Sequence, residues 1–244
     1  MCIRDRHNAL SPKMIEELSE SFDDIKKDNN IKVLIISANG KSFCAGGDLD
    51  WMKEQIFSDR ETRIKEARKL ADLLYKMYEF PKPLIAKVQG NAFGGGIGII
   101  SVCDIAISIE NIKLALTEVK LGLIPATISP YVISKIGSNN AIDLFTSAFT
   151  FSPPDAKKMG LIKSFCSEEN IDDIVQEETL PFLVNAPSAV SASKKLVRNL
   201  STKINEETIQ FTVEALADVW ENPEAIEGIN AFFEKRKPNW LMEK

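Results

Sequence analysis

Two glycine-rich segments constrain this chain more than any other feature. They read Ser42-Phe43-Cys44-Ala45-Gly46-Gly47-Asp48-Leu49 and Gly90-Asn91-Ala92-Phe93-Gly94-Gly95-Gly96-Ile97-Gly98. Each follows a short apolar run, Val33 to Ile36 for the first and Leu84 to Val88 for the second, and each leads into a helical pattern. Glycines at such a junction let the backbone turn sharply and let a ligand approach the main chain closely. Two turns of this kind can aim two backbone N–H groups at a single oxygen, which is how a preorganised oxyanion hole is built. The pattern points to chemistry on a carbonyl or thioester.

Other glycine-rich loops fit less well. A dinucleotide-binding loop needs G-x-G-x-x-G, and although Gly94, Gly96 and Gly98 alternate, position 99 is Ile99. Gly40-Lys41-Ser42 has the tail of a phosphate-cradling loop, but Ile35 stands where the loop's first glycine belongs. The net charge of -5, with dispersed positive residues, argues against nucleic acid as a partner. His7 is the single histidine, and Cys2, Cys44, Cys103 and Cys166 lack metal-type spacing, so no metal site is expected. Scattered thiols suit a reducing compartment. No run of 18 apolar residues and no secretory leader is apparent, so the expectation is a cytoplasmic protein without a membrane partner.

With 244 residues there is room for one large α/β domain or two small ones. Ser11-Pro12 opens a helix, Ser as N-cap and Pro at its first position, with Met14, Leu18, Phe22 and Ile25 as its apolar stripe. A strand is expected over 32–37. A helix follows over 60–79, with Ile64, Ala67, Leu70, Ala71, Leu74 and Tyr78 on one face. The pattern then predicts a strand at 84–88, a short buried helix at 95–102, a strand at 104–109, and a brief strand at 114–117 ending at Glu118. Beyond 129 the chain reads as chiefly helical, interrupted by a strand near 161–165, with Pro153-Pro154 and Asn222-Pro223 as helix starts. Such alternation argues for βαβ units with mostly parallel pairing. Residues 1–6 are too short and too charged for a core strand, and read either as a helical fold's leader or as a segment unrelated to the domain.

Few titratable groups are candidates for catalysis. Glu118, at the end of an apolar run, would have its pKa raised by desolvation and suit proton transfer; otherwise it is a solvated strand end or a partner for Lys120. Asp48 reads as the cap of the helix after the first glycine turn, and Asp104 as a strand-start cap or salt-bridge partner. Ser42, Ser101 and Thr117 have no histidine base apart from His7.

These motifs together resemble the enoyl-CoA hydratase/isomerase (crotonase) superfamily. The resemblance runs from His7-Asn8-Ala9-Leu10 to Lys235-Arg236-Lys237-Pro238. It takes in Phe43 to Leu49, Pro83, Val88-Gln89-Gly90, Gly94 to Gly96, Cys103-Asp104-Ile105-Ala106, and Glu118 with Gly122-Leu123-Ile124-Pro125. It implies an α/β fold, a ββα spiral core over 7–190 with its opening hairpin missing, and a helical region over 191–244 that mediates trimers or hexamers. It implies an acyl-CoA thioester as substrate and no separate cofactor, CoA being part of the substrate. Ala45 and Gly95 match the positions whose N–H groups hold the thioester oxygen, and Glu118 matches the general base and acid. Gly46, Gly47, Asp48, Leu49 and Gly94 would line the thioester path. Ala9 would lie near the adenine, and Phe232 and Lys235 at the CoA end, in relatives often from a neighbouring subunit.

Two departures shape the functional expectation. Gly98 stands where two-glutamate hydratases carry their second carboxylate. The run Ile124-Pro125-Ala126-Thr127-Ile128-Ser129-Pro130-Tyr131-Val132 replaces a glycine-rich loop. With Phe93-Gly94-Gly95-Gly96-x-Gly98 and Asp48-Leu49-x-Trp51-Met52 it looks like bacterial methylglutaconyl-CoA hydratases of leucine breakdown, and it is similar to relatives acting on longer terpenoid glutaconyl thioesters. The resemblance thus implies hydration of a branched, carboxylated enoyl-CoA, with Thr127, Ser129 or Tyr131 as candidates to hold the carboxylate. A Δ3,Δ2-enoyl-CoA isomerase and a non-catalytic acyl-CoA- or RNA-binding relative are the alternatives.

Overall fold

A computed structural model describes residues 7–201 and 204–241. The chain opens with α1 (Pro12–Lys27), whose first turn is closed by Ser11 accepting from the Met14 N–H at 3.2 Å. Then come β1 (Leu34–Ile36), β2 (Ser42–Cys44), α2 (Leu49–Phe57) and α3 (Arg60–Tyr78). The second glycine segment spans β3 (Leu84–Val88), β4 (Asn91–Phe93) and α4 (Gly95–Val102), followed by β5 (Ile105–Ile109) and β6 (Leu114–Ala115). The rest is α5 (Ser129–Ser147), α6 (Pro153–Met159), β7 (Ser164–Cys166), and then α7 (Ile171–Val184), α8 (Pro187–Leu200), α9 (Glu206–Trp220) and α10 (Pro223–Phe233).

The strands form two parallel sheets in the described residues, one ordered β1-β3-β5-β7 and the other β2-β4-β6. Successive turns of chain contribute one strand to each sheet and then a helix, the ββα repeat that the resemblance implies. α4 is apolar apart from Ser101, whose hydroxyl donates to the Ile97 carbonyl oxygen, and it is buried from Gly96 to Val102. Its glycines give it weak intrinsic propensity, so burial of Ile97 and Ile100 holds it as a helix. The main core joins β3, α4 and β5 to Leu73, Leu74 and Met77 of α3 and to Tyr131 and Val132 of α5. A separate cluster of Met52, Leu123, Trp220, Ala225 and Ile229 fastens α9 and α10 over α2 and the loop after Glu118.

Several expectations are corrected. Residues 42–44 and 91–93 are strands, too short to show a period-2 pattern in sequence. Glu118 does not end a strand; β6 stops at Ala115, and Glu118 opens a single 3₁₀ turn, Glu118–Leu121. The strand expected at 161–165 lies at 164–166, because Leu161 and Ile162, though buried, sit in the turn after α6. The boundary placed at 190/191 falls inside α8. Asp104 is a salt-bridge partner and more, accepting from the Leu84 N–H at 2.8 Å while pairing with Lys194 and Arg198. Residues 1–6, with Cys2, lie outside the described residues. Cys44, Cys103 and Cys166 are free and buried, and burial pushes the first two thiols up, to about 11 and about 12.

Candidate active site

Parallel pairing brings the two glycine turns together. β2 and β4 run side by side, Ser42 opposite Asn91 and Cys44 opposite Ala92, so both turns leave the same edge of the sheet. β6 lies on the other side of β4, with Phe93 opposite Ala115, and it delivers Thr117 and Glu118 to that edge as well. Gly94 sits at φ +48°, ψ −114°, a conformation closed to other residues. A Cβ there would also lie 3.0 Å from Glu118 Oε1 and 3.8 Å from Gly46 Cα. The carboxyl group therefore rests directly against the turn.

The amide pair differs from expectation. The Ala45 N–H donates to the His7 carbonyl oxygen at 3.1 Å, so it has no capacity left for a thioester oxygen. Three residues after His7, Leu10 pairs with the turn: its N–H donates to Gly46 O at 2.8 Å and its oxygen accepts from the Asp48 N–H at 3.3 Å. Between those bonds the Gly47 N–H has no acceptor among the described residues, and neither does the Gly95 N–H at the start of α4. Gly47 and Gly95 line the same two cavities as Glu118, and the positive end of α4 adds to the field at Gly95. The donor pair that fits an oxyanion is thus Gly47 with Gly95, and Ala45 is corrected to a wall of the cavity mouth. The sequence marks Gly47 only as the residue directly before the capping Asp48.

Glu118 faces the cavity with part of its surface, while Oε2 is buried without a hydrogen-bond partner among the described residues. Burial pushes its pKa up to about 7, and the backbone amides of Glu118 and Thr117 offset only part of that. No ion pair joins it to Lys120, which lines the mouth from an exposed position. A carboxyl group poised near neutrality beside two vacant amide donors can exchange a proton with a carbon or a water at a polarised thioester.

Around Glu118 the space divides into a mouth of about 420 Å³ and an inner chamber of about 110 Å³. The mouth brings together Ala45, Gly46, Gly47, Leu49, Gly94, Gly95, Glu118 and Phe232 of the residues predicted for the site, along with Met52, Thr117, Leu121 and Leu123. Phe232 comes from the chain's own α10. Three predicted residues lie elsewhere. Ala9 is buried under the first turn; the Asp48 carboxylate caps α2 by accepting from the Asp50 and Trp51 N–H groups; Lys235 is exposed beyond α10. The inner chamber is lined by Leu10, Trp51, Leu70, Leu123 to Ile128, Leu216 and Trp220. Its helical walls from α9 carry no sequence signal of a site, since their apolar positions read simply as core.

Of the three hydroxyls considered for a distal carboxylate, only Thr127 lines the chamber. Ser129 Oγ is spent on the Ala126 carbonyl at 2.7 Å, and Tyr131 is buried against Tyr78, ring centroids 5.4 Å apart. Ile128 occupies the space beside Gly98: a Cβ at 98 would lie 2.4 Å from Ile128 Cγ2. Among the described residues no second carboxylate stands opposite Glu118 in the chamber lining.

Comparison with known proteins matches this geometry to one family. The enoyl-CoA hydratase/isomerase family matches over residues 1–243. The chain belongs to the enoyl-CoA hydratase/isomerase family. An enoyl-CoA hydratase structure from Shewanella pealeana is 39% identical, covering 97% of this chain and 89% of that one with a TM-score of 0.79. A second, from Mycobacterium avium, is 28% identical with a TM-score of 0.86, covering 97% and 90%. Carnitinyl-CoA dehydratase of Salmonella enteritidis is 28% identical over 243 residues, covering 97% of this chain and 92% of its own. As a member of the enoyl-CoA hydratase/isomerase family the chain has the α/β crotonase fold and the acyl-CoA thioester chemistry of that family. Among the described residues no cluster of His, Cys, Asp and Glu could hold a metal ion, and no helix is long and apolar enough to cross a membrane.

Proposed function

We propose that this enzyme adds water across the double bond of a C3-branched enoyl-CoA, with 3-methylglutaconyl-CoA as its substrate. The observation that carries the reading is the lone, raised-pKa Glu118 set against the Gly47 and Gly95 amides. The ionised Glu118 takes a proton from water as the hydroxyl oxygen bonds to C3. The C2–C3 π electrons move onto the thioester oxygen, which the two amides hold at roughly 3 kcal/mol of stabilisation per donor. The same carboxyl group then returns the proton to C2, so one carboxyl group serves both half-reactions. Replacing a second glutamate by Gly98 and Ile128 removes a like charge that a carboxylated acyl group would meet, and Thr127 offers a hydroxyl in the chamber. Because the base must be ionised, kcat/KM should rise with pH through about 7.

The test is a thioester panel of crotonyl-, 3-methylcrotonyl- and 3-methylglutaconyl-CoA, followed by loss of the conjugated enoyl absorbance. The highest kcat/KM is expected for 3-methylglutaconyl-CoA; an equal or higher value for crotonyl-CoA overturns the substrate assignment. One carboxyl group also suffices to move a proton between two carbons. Conversion of a 3-enoyl-CoA to its 2-enoyl isomer without hydration would therefore favour an isomerase.

The assembly that supports this reading is a homotrimer or homohexamer in a reducing cytoplasm. Much of the apolar surface of the C-terminal helices is used within the chain: Trp220 and Ile229 are buried, with Leu216, Val219 and Phe233 packed on them. What remains exposed includes Phe211 of α9 and Phe232 of α10, 69% and 50% exposed, and a stripe on α7 and α8, where Val184, Val197 and Leu200 are 84%, 68% and 80% exposed and α8 buries no residue at all. Such a stripe fits a repeated subunit contact. Light scattering at micromolar concentration should give a mass of three or six chains; a monomer contradicts it.

A further inference from the structure

Backbone alone positions the Glu118 carboxyl group: it rests on the Gly94 turn and on the Thr117 and Glu118 amides. Among the described residues no side chain is hydrogen-bonded to it, and its Oε2 has no partner. Its 3₁₀ turn is stiff, since the Glu118 carbonyl accepts from both the Gly122 and the Leu123 N–H groups. Whatever fixes Leu121 and Gly122 therefore fixes Glu118. That partner is α10, and it lies on the turn backbone to backbone. A Cβ at Gly228 would fall 2.5 Å from the Leu121 carbonyl carbon and oxygen, and 2.8 Å from Trp240 Cη2. A Cβ at Gly122 would fall 2.5 Å from the Glu224 oxygen. Glu224 and Gly228 are one helical turn apart, so the helix meets the 3₁₀ turn at two successive points on one face.

We propose that Gly228 is a positioning residue for Glu118: its missing side chain lets α10 seat directly on the catalytic turn and hold the carboxyl group at its place beside Gly94. This rests on the reading of Glu118 as the proton-transfer group. A Cβ at 228 meets main chain, which cannot swing aside as a side-chain tip can, so α10 and the turn must part. The neighbouring Phe232 makes a different contribution from the same helix, lining the mouth with a side chain that is half exposed.

The experiment measures kcat and KM for Gly228→Ala, Ile229→Ala, Phe232→Ala and Glu118→Gln with 3-methylglutaconyl-CoA and crotonyl-CoA, normalised to folded enzyme by circular dichroism. Misplacing a reacting group by about 1 Å costs on the order of 10²-fold. Gly228→Ala should accordingly lower kcat by at least about tenfold while KM changes less than about threefold. Ile229→Ala loosens the same helix from below, without adding an atom at the turn, and should lower kcat per folded molecule in the same way. It supplies the answer if Gly228→Ala does not fold. Phe232→Ala should mainly raise KM. If Gly228→Ala and Ile229→Ala keep wild-type kcat, or change only KM as Phe232→Ala does, α10 is a wall and the proposal is overturned. A Glu118→Gln enzyme that retains activity would instead show that the reading of Glu118 itself is wrong.

Discussion

Glu118→Gln should lower kcat by ~10²–10⁴-fold while binding of the CoA thioester survives, the range spanned by positioned general acid–base groups. The amide keeps the size of the side chain and its seat against Gly94, but it exchanges no proton at neutral pH. A variant with more than about a tenth of wild-type kcat would remove Glu118 from the mechanism. The same substitution carries a stability signature of opposite sign. Burial raises the Glu118 pKa from 4.5 to about 7, so the folded state binds this proton more tightly than the unfolded chain does. The stability contributed by that proton is fully present below about pH 4.5 and lost as pH rises through 7. At pH 8 the wild type holds a buried charge at a cost on the order of 3 kcal/mol, from about 1.4 kcal/mol per pKa unit. Glu118→Gln should therefore melt higher than wild type at pH 8 and show no such gain at pH 4.5. Thermal scans at the two pH values read this directly, and a gain of equal size at both would rule out the raised pKa as its source. An enzyme that becomes more stable as it loses activity is the mark of a group held in place for chemistry.

Gly98→Glu should unfold the chain at markedly lower denaturant, and it should not convert the site to a two-carboxylate one. A Cβ at 98 would lie 2.4 Å from Ile128 Cγ2 and 2.9 Å from its Cβ. Ile128 cannot retreat, because it is 2% exposed and its carbonyl oxygen accepts from the Tyr131 and Val132 N–H groups at the start of α5. Overpacking of this kind costs about 1–3 kcal/mol for the first atoms alone. A carboxylate buried among Ile128 and Leu74 then adds a desolvation penalty of several kcal/mol or takes up a proton. Urea midpoints of Gly98→Ala, Gly98→Glu and Gly98→Glu with Ile128→Ala should fall, fall further and partly recover. A single Gly98→Glu variant as stable as wild type would show that Ile128 does not exclude the second group.

The sequence was most readable where glycine and apolar runs coincide. Leu84 to Val88 and Gly95 to Val102 form the predicted strand and helix to the residue, and Asp48 caps α2 as its position implied. The glycine turns and Glu118 likewise fall into one cavity as expected. What escaped has physical reasons. β2 and β4 are three residues long and merge into their turns, so alternation never develops. Glu118 follows a strand of only two residues, and its 3₁₀ turn is shaped by α10, more than a hundred positions away in sequence. The donor role that the resemblance implies for Ala45 belongs with Gly47, because which amide points outward depends on the pairing of Ala45 and Asp48 with His7 and Leu10, a long-range contact no local pattern announces.

That stitching has a consequence for how the enzyme comes into being. The site is braced from both ends of the chain, by the segment at 7–10 against the first glycine turn and by α10 against the turn that carries Glu118. As the chain emerges during synthesis, strands, glycine turns and Glu118 all precede the helix that closes over them. A nascent polypeptide without residues 223–233 holds every reacting group yet lacks the helix that seats against the turn carrying Glu118. Precise placement of the carboxyl group is thus the last property this chain acquires.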